Sequence, residues 1–120
     1  MRIGELAERT GVSRRSVRYY EQHGLIEARR TLGDWREFDE STVQRVRNIA
    51  ALLHKGLTIE GVKRLEPCLD QADFFACDNP TEAIETYESR LAVLDGRLAT
   101  LAAQRHQLAT LVHDLRGQHK

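Results

Sequence analysis

The chain has 120 residues, of which 41% are hydrophobic and 30% charged, with 18 basic and 18 acidic side chains. This composition is typical of a globular protein and excludes an intrinsically disordered chain. No apolar run approaches the roughly 18 residues of a membrane-spanning helix, which excludes a transmembrane protein. Two cysteines are too few for a disulfide scaffold, and the charged start of the chain is unlike a signal peptide. We therefore expect a cytoplasmic location.

The neutral total hides two halves of opposite charge. Residues 1–66 carry 13 basic and 10 acidic side chains, whereas residues 67–120 carry 5 basic and 8 acidic ones. Arginines cluster in the first half, at positions 14, 15 and 18 and at positions 29, 30 and 36. Arginine presents a planar fork of donors that suits phosphates and guanine edges, so these clusters favour nucleic acid. A solvated charged face is the alternative, and it is what we expect for Arg9 and Arg45.

Residues 3–22 predict two short helices joined by a tight turn. Apolar residues at helical spacing indicate a first helix over residues 3–10, which Gly11 ends. Ser13 is a favourable N-cap for a second helix over residues 14–22. Two short helices joined by a glycine-containing turn are typical of a helix-turn-helix.

The next segment, residues 28–38, predicts a short hairpin or wing. Gly33 and Asp34 form a turn signal, and the residues on either side of them can pair as two antiparallel strands. A hairpin placed directly after a helix-turn-helix predicts a winged domain. The fold class expected for the whole chain is mainly α with this one small β-wing.

Two more helices complete the predicted winged domain of residues 1–66. One covers residues 39–54 and has Asp39 as its expected cap. The other covers residues 58–66 and has Thr58 as its expected cap. Their apolar residues recur three and four positions apart, so each helix has one face to bury in a shared core.

A long helix over residues 81–116, after a linker at 67–80, carries the strongest periodicity in the chain. Its apolar positions alternate three and four residues apart, and they are Ile84, Tyr87, Leu91, Leu94, Leu98, Leu101, Leu108, Val112 and Leu115. This seam, interrupted only by Arg105, predicts a two-stranded coiled coil between two copies of the chain. The helix would be about 50 Å long, too long to bury its seam against one small domain. A helix folded back within the monomer is the alternative.

Four sequence blocks occur in order within residues 2–66. They are Ile3-Gly4-Glu5-Leu6-Ala7 with Thr10-Gly11-Val12-Ser13, Val17-Arg18-Tyr19-Tyr20-Glu21 with Gly24-Leu25-Ile26, Gly33-Asp34-Trp35-Arg36-Glu37-Phe38, and Lys55-Gly56-Leu57-Thr58-Ile59-Glu60. In this order and spacing they resemble the MerR family of bacterial transcription regulators. The wing departs from the family's usual Gly-Gly-Tyr-Arg at Asp34 and Trp35, although it keeps an aromatic residue and the arginine.

The resemblance implies a homodimer whose long helices form an antiparallel coiled coil. It implies two winged domains on a pseudo-palindromic promoter site, which the dimer bends and untwists for RNA polymerase in response to an effector. It implies no enzyme and no cofactor, and the sequence contains no glycine-rich phosphate loop, nucleophile elbow or zinc-protease motif. A coiled-coil adaptor that binds protein and not DNA is the alternative. Whether the protein activates or represses is left open.

The candidate DNA-contacting residues lie in the helix-turn-helix and the wing. They are Arg2, Ser13, Arg14, Arg15, Ser16, Arg18, Tyr19, Arg29, Arg30, Trp35 and Arg36. The N-terminal part of the second helix, positions 14–16, is expected to reach bases in the major groove. By the resemblance, Arg18 and Tyr19 contact the DNA backbone. Arg36 and Trp35 are expected at phosphates or in the adjacent minor groove, with Trp35 alternatively covering the underside of the wing.

Both cysteines, Cys68 and Cys77, fall in the predicted linker. One hypothesis is a thiol switch, in which they oxidise to a disulfide or react with an electrophile. A second is a metal site completed by a partner histidine, His113 or His119. A third is a purely structural role as small buried thiols. Asp78 weighs against a reactive thiol because a neighbouring carboxylate raises the pKa of a cysteine.

Overall fold

The computed structural model describes residues 1–33, 35–72 and 80–118. Its elements are, in chain order, α1 (Ile3–Thr10), α2 (Arg14–Gln22), β1 (Arg29–Arg30), β2 (Arg36–Glu37), α3 (Ser41–His54), α4 (Ile59–Arg64), a 3₁₀ turn (Glu66–Cys68) and α5 (Pro80–Gln118). A mainly α chain with a two-stranded wing and a long C-terminal helix confirms the predicted fold class. The chain forms two compact units, Met1–Tyr87 and Glu88–Lys120.

The first unit is organised around one apolar core, to which α1, α2, α3 and α4 all contribute. The buried apolar side chains are Leu6, Ala7, Val17, Tyr20, Leu25, Ile26, Phe38, Val43, Val46, Ile49, Leu52, Val62, Leu65 and Leu69. Full burial of an aliphatic side chain of this size stabilises a fold by about 1.5–3 kcal/mol. This core therefore fixes the orientation of α2 and of the face that α2 leaves exposed.

The turn between α1 and α2 has the local features expected from the sequence. Gly11 adopts a left-handed conformation, with φ of 72°, and its N–H donates to the Ala7 carbonyl. Glycine takes this conformation without the steric cost that a side chain would add. The Ser13 side chain accepts a hydrogen bond from the backbone N–H of Ser16, which confirms Ser13 as the N-cap of α2.

The wing is a short antiparallel hairpin in which Arg29 pairs with Glu37 and Arg30 with Arg36. The Thr31 N–H donates to the Trp35 carbonyl at 2.9 Å, next to the turn. The predicted turn residue Asp34 lies outside the described residues. Strand β2 leads directly into the buried Phe38, so the base of the wing is attached to the core.

One of the two predicted helix caps is wrong. Thr58 caps α4 as expected, since its side chain accepts from the N–H of Gly61. Asp39 does not cap α3, which begins at Ser41 without a side-chain cap. The Asp39 carboxylate forms an ion pair with Arg29 of the wing. The Asp39 side chain is therefore directed to the wing and not to the N–H groups at the start of α3.

The segment after α4, interpreted as a linker, begins inside the core. Leu69 is completely buried there. Buried Asn48 of α3 holds this segment, because its side-chain amide donates to the carbonyls of Leu69 at 2.7 Å and Gln71 at 2.8 Å. No local sequence pattern predicts this contact, since the residues are more than 20 positions apart. Residues 73–79, which include Cys77, lie outside the described part of the chain.

Arg45 also binds this segment, so the expectation that it faces solvent is wrong. Its side chain is only 15% exposed and forms ion pairs with Glu66 at 3.2 Å and Asp70 at 3.0 Å. It also donates to the carbonyl of Leu25. Arg9, the other arginine expected to face solvent, is partly exposed and pairs with Glu40. The hydrogen bond from Arg9 lowers the pKa of the Glu40 carboxyl.

We expect Asn48→Ala to destabilise the first unit by about 2–3 kcal/mol, because two carbonyls lose their donor in a largely buried place. The free energy of unfolding in urea measures this loss. Gln44→Ala is the matched control, since Gln44 only donates to the Asn48 side chain from a partly exposed position. Equal losses in the two variants would show that the Asn48 amide does not anchor the segment.

Helix α5 contains 39 residues and begins at Pro80. Its first turns belong to the first unit, in which Thr86 is buried and Ala83 packs against the core. In the second unit the seam residues other than the partly buried Leu94 are exposed, with Leu98 at 64% and Leu101 at 61%. None of the described helices, α5 included, combines the length and apolar composition that crossing a bilayer requires.

Candidate nucleic-acid interface

Helix α2 divides its residues between the core and an exposed basic face. Val17 and Tyr20 are buried, and burial raises the pKa of the Tyr20 phenol, as suits a core residue. Outside this buried face, the helix exposes Arg14, Arg15 and Arg18. Val17 and Tyr20 share one face because residues three apart lie about one turn from each other, and Arg15 and Arg18 share another face for the same reason. Burying one face therefore holds three guanidinium groups on the surface.

The basic face of α2 has no acidic partner in the described part of the chain. Within residues 1–33, 35–72 and 80–118, none of the ion pairs involves Arg14, Arg15 or Arg18. A groove of about 460 Å³ runs along this face and is lined by Arg15, Ser16, Arg18, Tyr19 and Gln22. Arginine and polar side chains around an open groove suit an extended anionic ligand such as a phosphodiester backbone.

The wing adds a second basic element beside α2. Arg36 of β2 forms an ion pair with Glu21 of α2 at 3.0 Å. A further groove of about 340 Å³ lies between the helix and the wing and is lined by Arg18, Glu21, Gln22 and Arg36. Arg18 borders both grooves. Glu21 thus connects the wing to the basic face, a role that sequence reasoning missed because the pair spans 15 positions.

Trp35 is more than half exposed and is stacked by an arginine. The Arg2 guanidinium stacks over its ring, 4.3 Å from the centroid, and Trp35 is 57% exposed. A cation above an indole face is attracted by the ring quadrupole. Arg2 precedes α1, so this contact joins the start of α1 to the wing.

The remaining candidates differ in how free their polar groups are. Arg29 is exposed, but its partner Asp39 raises the pKa of its guanidinium and partly neutralises its charge. The hydroxyls of Ser13 and Ser16 hydrogen-bond to each other at 3.0 Å within the N-cap. Arg30 is exposed on β1. The structure therefore brings Arg15, Ser16, Arg18, Tyr19 and Arg36 together around the two grooves. Arg14 is exposed on α2 but lines neither groove, and Ser13 serves the helix start.

Of the residues in the cysteine hypotheses, the structure describes Cys68 and His113. Cys68 is buried at 6% exposure and is disulfide-bonded. Cys77 and His119 lie outside the described residues, and His113 lies on α5 in the second unit. Among the described residues no group of three His, Cys, Asp or Glu side chains is arranged to hold a metal ion.

Residues 1–67 match the family model described as MerR HTH family regulatory protein. The chain belongs to this family. Its members are DNA-binding transcription regulators, which agrees with the basic face of α2 and with the wing beside it. The resemblance to the MerR family is thereby confirmed, and the relatives of this chain include transcription regulators.

Among curated proteins, the chain is similar to the nodulation protein NolA of Bradyrhizobium elkanii, with 38% identity over 99 residues. That match covers 81% of this chain and 44% of NolA, so the chain spans less than half the length of this relative. Among solved structures, it resembles the regulator PbrR691 of Ralstonia metallidurans CH34 in complex with lead(II). The TM-score is 0.76 at 28% identity, covering 92% of this chain and 84% of PbrR691.

The fold is also that of HiNmlR, a MerR family regulator lacking the sensor domain, in a structure bound to promoter DNA. The TM-score is 0.58 at 22% identity, and the match covers 84% of this chain and 74% of HiNmlR. This likeness extends over the winged domain and into the long helix.

Proposed function

We propose that this MerR-family chain is a homodimeric transcription regulator that binds a pseudo-palindromic promoter site. The observation that supports this most strongly is the basic face of α2, whose exposed Arg14, Arg15 and Arg18 have no ion pair among the described residues and whose Arg18 shares a groove with the wing arginine Arg36. The guanidinium groups of Arg15, Arg18 and Arg36 border two grooves that share Arg18, an arrangement that suits an extended polyanion such as DNA better than a compact ligand. The fold shared with the DNA-bound regulator HiNmlR supports the same reading.

The residues divide between reading bases and holding phosphates. Helix α2 enters the major groove with its N-terminal end, where Arg14 and Arg15 reach base edges. Arg18 and Tyr19, further along the helix, bind the DNA backbone. Arg36 and Trp35 of the wing contact phosphates or the adjacent minor groove. Arg2, Arg29 and Arg30 add general attraction at the edge of the interface.

The exposed seam of α5 is the dimerisation surface, and its occupant is a second copy of the chain. Leu91, Leu98, Leu101, Leu108 and Leu115 are all more than half exposed in the single chain. An apolar stripe of this length is costly in water and is satisfied by another helix with the same repeat. A two-fold dimer presents two α2 helices to two half-sites of one DNA, which accounts for a pseudo-palindromic operator.

Regulation requires a second state of the bound dimer. Bending a short DNA site smoothly costs roughly 1–6 kcal/mol. An effector must therefore shift the equilibrium between the two states of the dimer by a comparable free energy. A dimer that distorts the promoter changes the relative positions of the two DNA regions that RNA polymerase contacts. This is the route by which we propose that the protein acts on transcription.

For the effector we favour an oxidant or electrophile that acts through Cys68 and Cys77. Oxidation of two thiols to a disulfide releases two protons and transfers two electrons to an oxidant such as a peroxide. Disulfide-bonded Cys68 lies directly before Leu69, which Asn48 ties to the core. A change at Cys68 therefore acts on the segment that leads from α4 towards α5. A metal bound by the cysteines and a partner histidine is the second candidate, supported by the lead(II) complex of PbrR691.

DNA binding is tested by footprinting the purified protein on the region upstream of its own gene. We expect a protected, two-fold symmetric site that survives excess non-specific competitor DNA. With 6–10 phosphate contacts, affinity should fall by about 10³–10⁵ between 50 and 200 mM salt. A coiled-coil adaptor predicts neither a footprint nor this salt dependence, so the absence of both would favour the adaptor.

The effector is tested on the same fragment by comparing reduced, oxidised and chelator-treated protein. A thiol switch predicts a redox-dependent change in DNA distortion that is lost in the Cys68→Ser, Cys77→Ser double variant. The metal alternative predicts sensitivity to chelator and no response to peroxide. A double variant that still responds to oxidant would remove the thiol hypothesis.

A further inference from the structure

Gly4, in the first turn of α1, lies against the guanidinium group of Arg14 at the start of α2. A Cβ in ideal geometry on Gly4 would lie 2.6 Å from Arg14 Nη2 and 3.1 Å from Arg14 Cζ. Separations below 3.0 Å are essentially absent for real Cβ atoms, so any side chain at this position would displace the guanidinium. The close approach of Arg14 to α1 therefore depends on glycine.

The backbone does not explain a glycine at this position. Gly4 lies within α1, whereas the glycines with positive φ are Gly11, Gly24 and Gly56. Alanine is the better helix former, so a glycine inside a helix has a cost that another interaction must offset. The three atoms nearest to a Cβ at this position all belong to the Arg14 guanidinium group, so the close contact with Arg14 is what an alanine would disturb.

The contact limits the freedom of a side chain that otherwise has several rotatable bonds. An arginine that is ordered before its ligand arrives loses less conformational entropy on binding, which raises affinity. Arg14 has no acidic partner among the described residues, so its donors remain available. The contact with Gly4 of α1 thus orders the Arg14 side chain and leaves its charge available for DNA.

We propose that Gly4 is a positioning residue for Arg14. Because Gly4 has no side chain, the Arg14 guanidinium can lie against α1 in a position from which it contacts bases. The inference rests on the proposed DNA-binding function. It extends the interface to α1, a helix whose own side chains were not assigned to the DNA. Arg2, which stacks on Trp35, lies two residues before Gly4, so the same turn of α1 also supports the wing.

The test is operator affinity of Gly4→Ala, measured by fluorescence anisotropy together with its thermal unfolding. We expect about a tenfold loss of affinity and a relaxed preference at the base pair that Arg14 contacts, the size expected for a bidentate arginine contact. The unfolding temperature should be unchanged or higher, because the displaced group is the end of a flexible side chain. Gly96→Ala is the control, since no atom lies within 4 Å of its added Cβ.

A double-mutant cycle separates positioning from a general effect on the fold. In the Arg14→Ala background, Gly4→Ala should cause no further loss of affinity. An equal loss in both backgrounds would overturn the proposal, as would unchanged affinity of Gly4→Ala when the wild type binds its operator. If the wild type binds no specific DNA, the proposed function fails as well, so the two failures are distinguishable.

Discussion

Arg18→Ala should reduce operator affinity on the order of 50-fold at 100 mM salt, because a dimer loses two phosphate contacts at once. Each lost contact lowers the slope of log affinity against log salt by about 0.9, so the slope should fall by about 2. Arg18 is exposed and borders both grooves, so its loss leaves the core unchanged. Anisotropy titrations at four salt concentrations give both quantities.

Adding Arg14→Ala to this variant should abolish specific binding and leave the dimer intact. The matched control is Arg64→Ala, which removes the same charge from an exposed position at the end of α4. We expect the control to keep nearly all of its affinity and most of its salt slope. A control that loses as much as Arg18→Ala would mean that overall charge, and not the face of α2, determines binding.

Leu101→Glu should convert the dimer to monomers at micromolar concentration. A coiled coil of two such chains would bury two unpaired carboxylates in its seam, and each costs several kcal/mol. The dissociation constant of the dimer should therefore rise by more than about 1,000-fold. Sedimentation velocity over a range of concentrations measures the change, and operator affinity should fall with it.

Ala103→Glu is the matched control for the seam. It adds the same charge to the same helix, two positions away and off the heptad seam. Both positions are exposed in the single chain, so neither substitution should unfold it. A Leu101→Glu variant that remained dimeric, or an Ala103→Glu variant that dissociated equally, would show that the seam is not the dimer interface.

Features with short-range causes were predicted from the sequence. The N-cap contact of Ser13 spans three residues, as does that of Thr58, and Gly11 closes the turn through the carbonyl four residues before it. The buried positions of α2, Val17 and Tyr20, follow the helical repeat. The order and spacing of the four MerR-like blocks identified the correct family and located the helix-turn-helix and the wing in the chain. Such features depend on residues within one turn of each other, so they can be recognised locally.

Features that depend on distant residues were missed or wrongly interpreted. The position of Asp39 just before α3 predicts a helix cap, but the hairpin brings Arg29, ten residues earlier, to its carboxylate. Arg45 was expected in solvent, yet its partners Glu66 and Asp70 follow more than 20 residues later. A charged side chain has several chemically equivalent partners along the chain, and only the packing of helices selects one of them.

The sequence alone determined the number and order of the helices and their bounds to within about two residues, where the turn and the wing occur, and that α5 carries an apolar seam. These properties follow from backbone propensities and from periods of a few residues, which any folded context preserves. Only the tertiary structure decided that Arg14 rests on Gly4, that Glu21 holds Arg36 and that Leu69 belongs to the core. Those contacts join residues brought together by packing, and packing depends on the shape of the whole core at once.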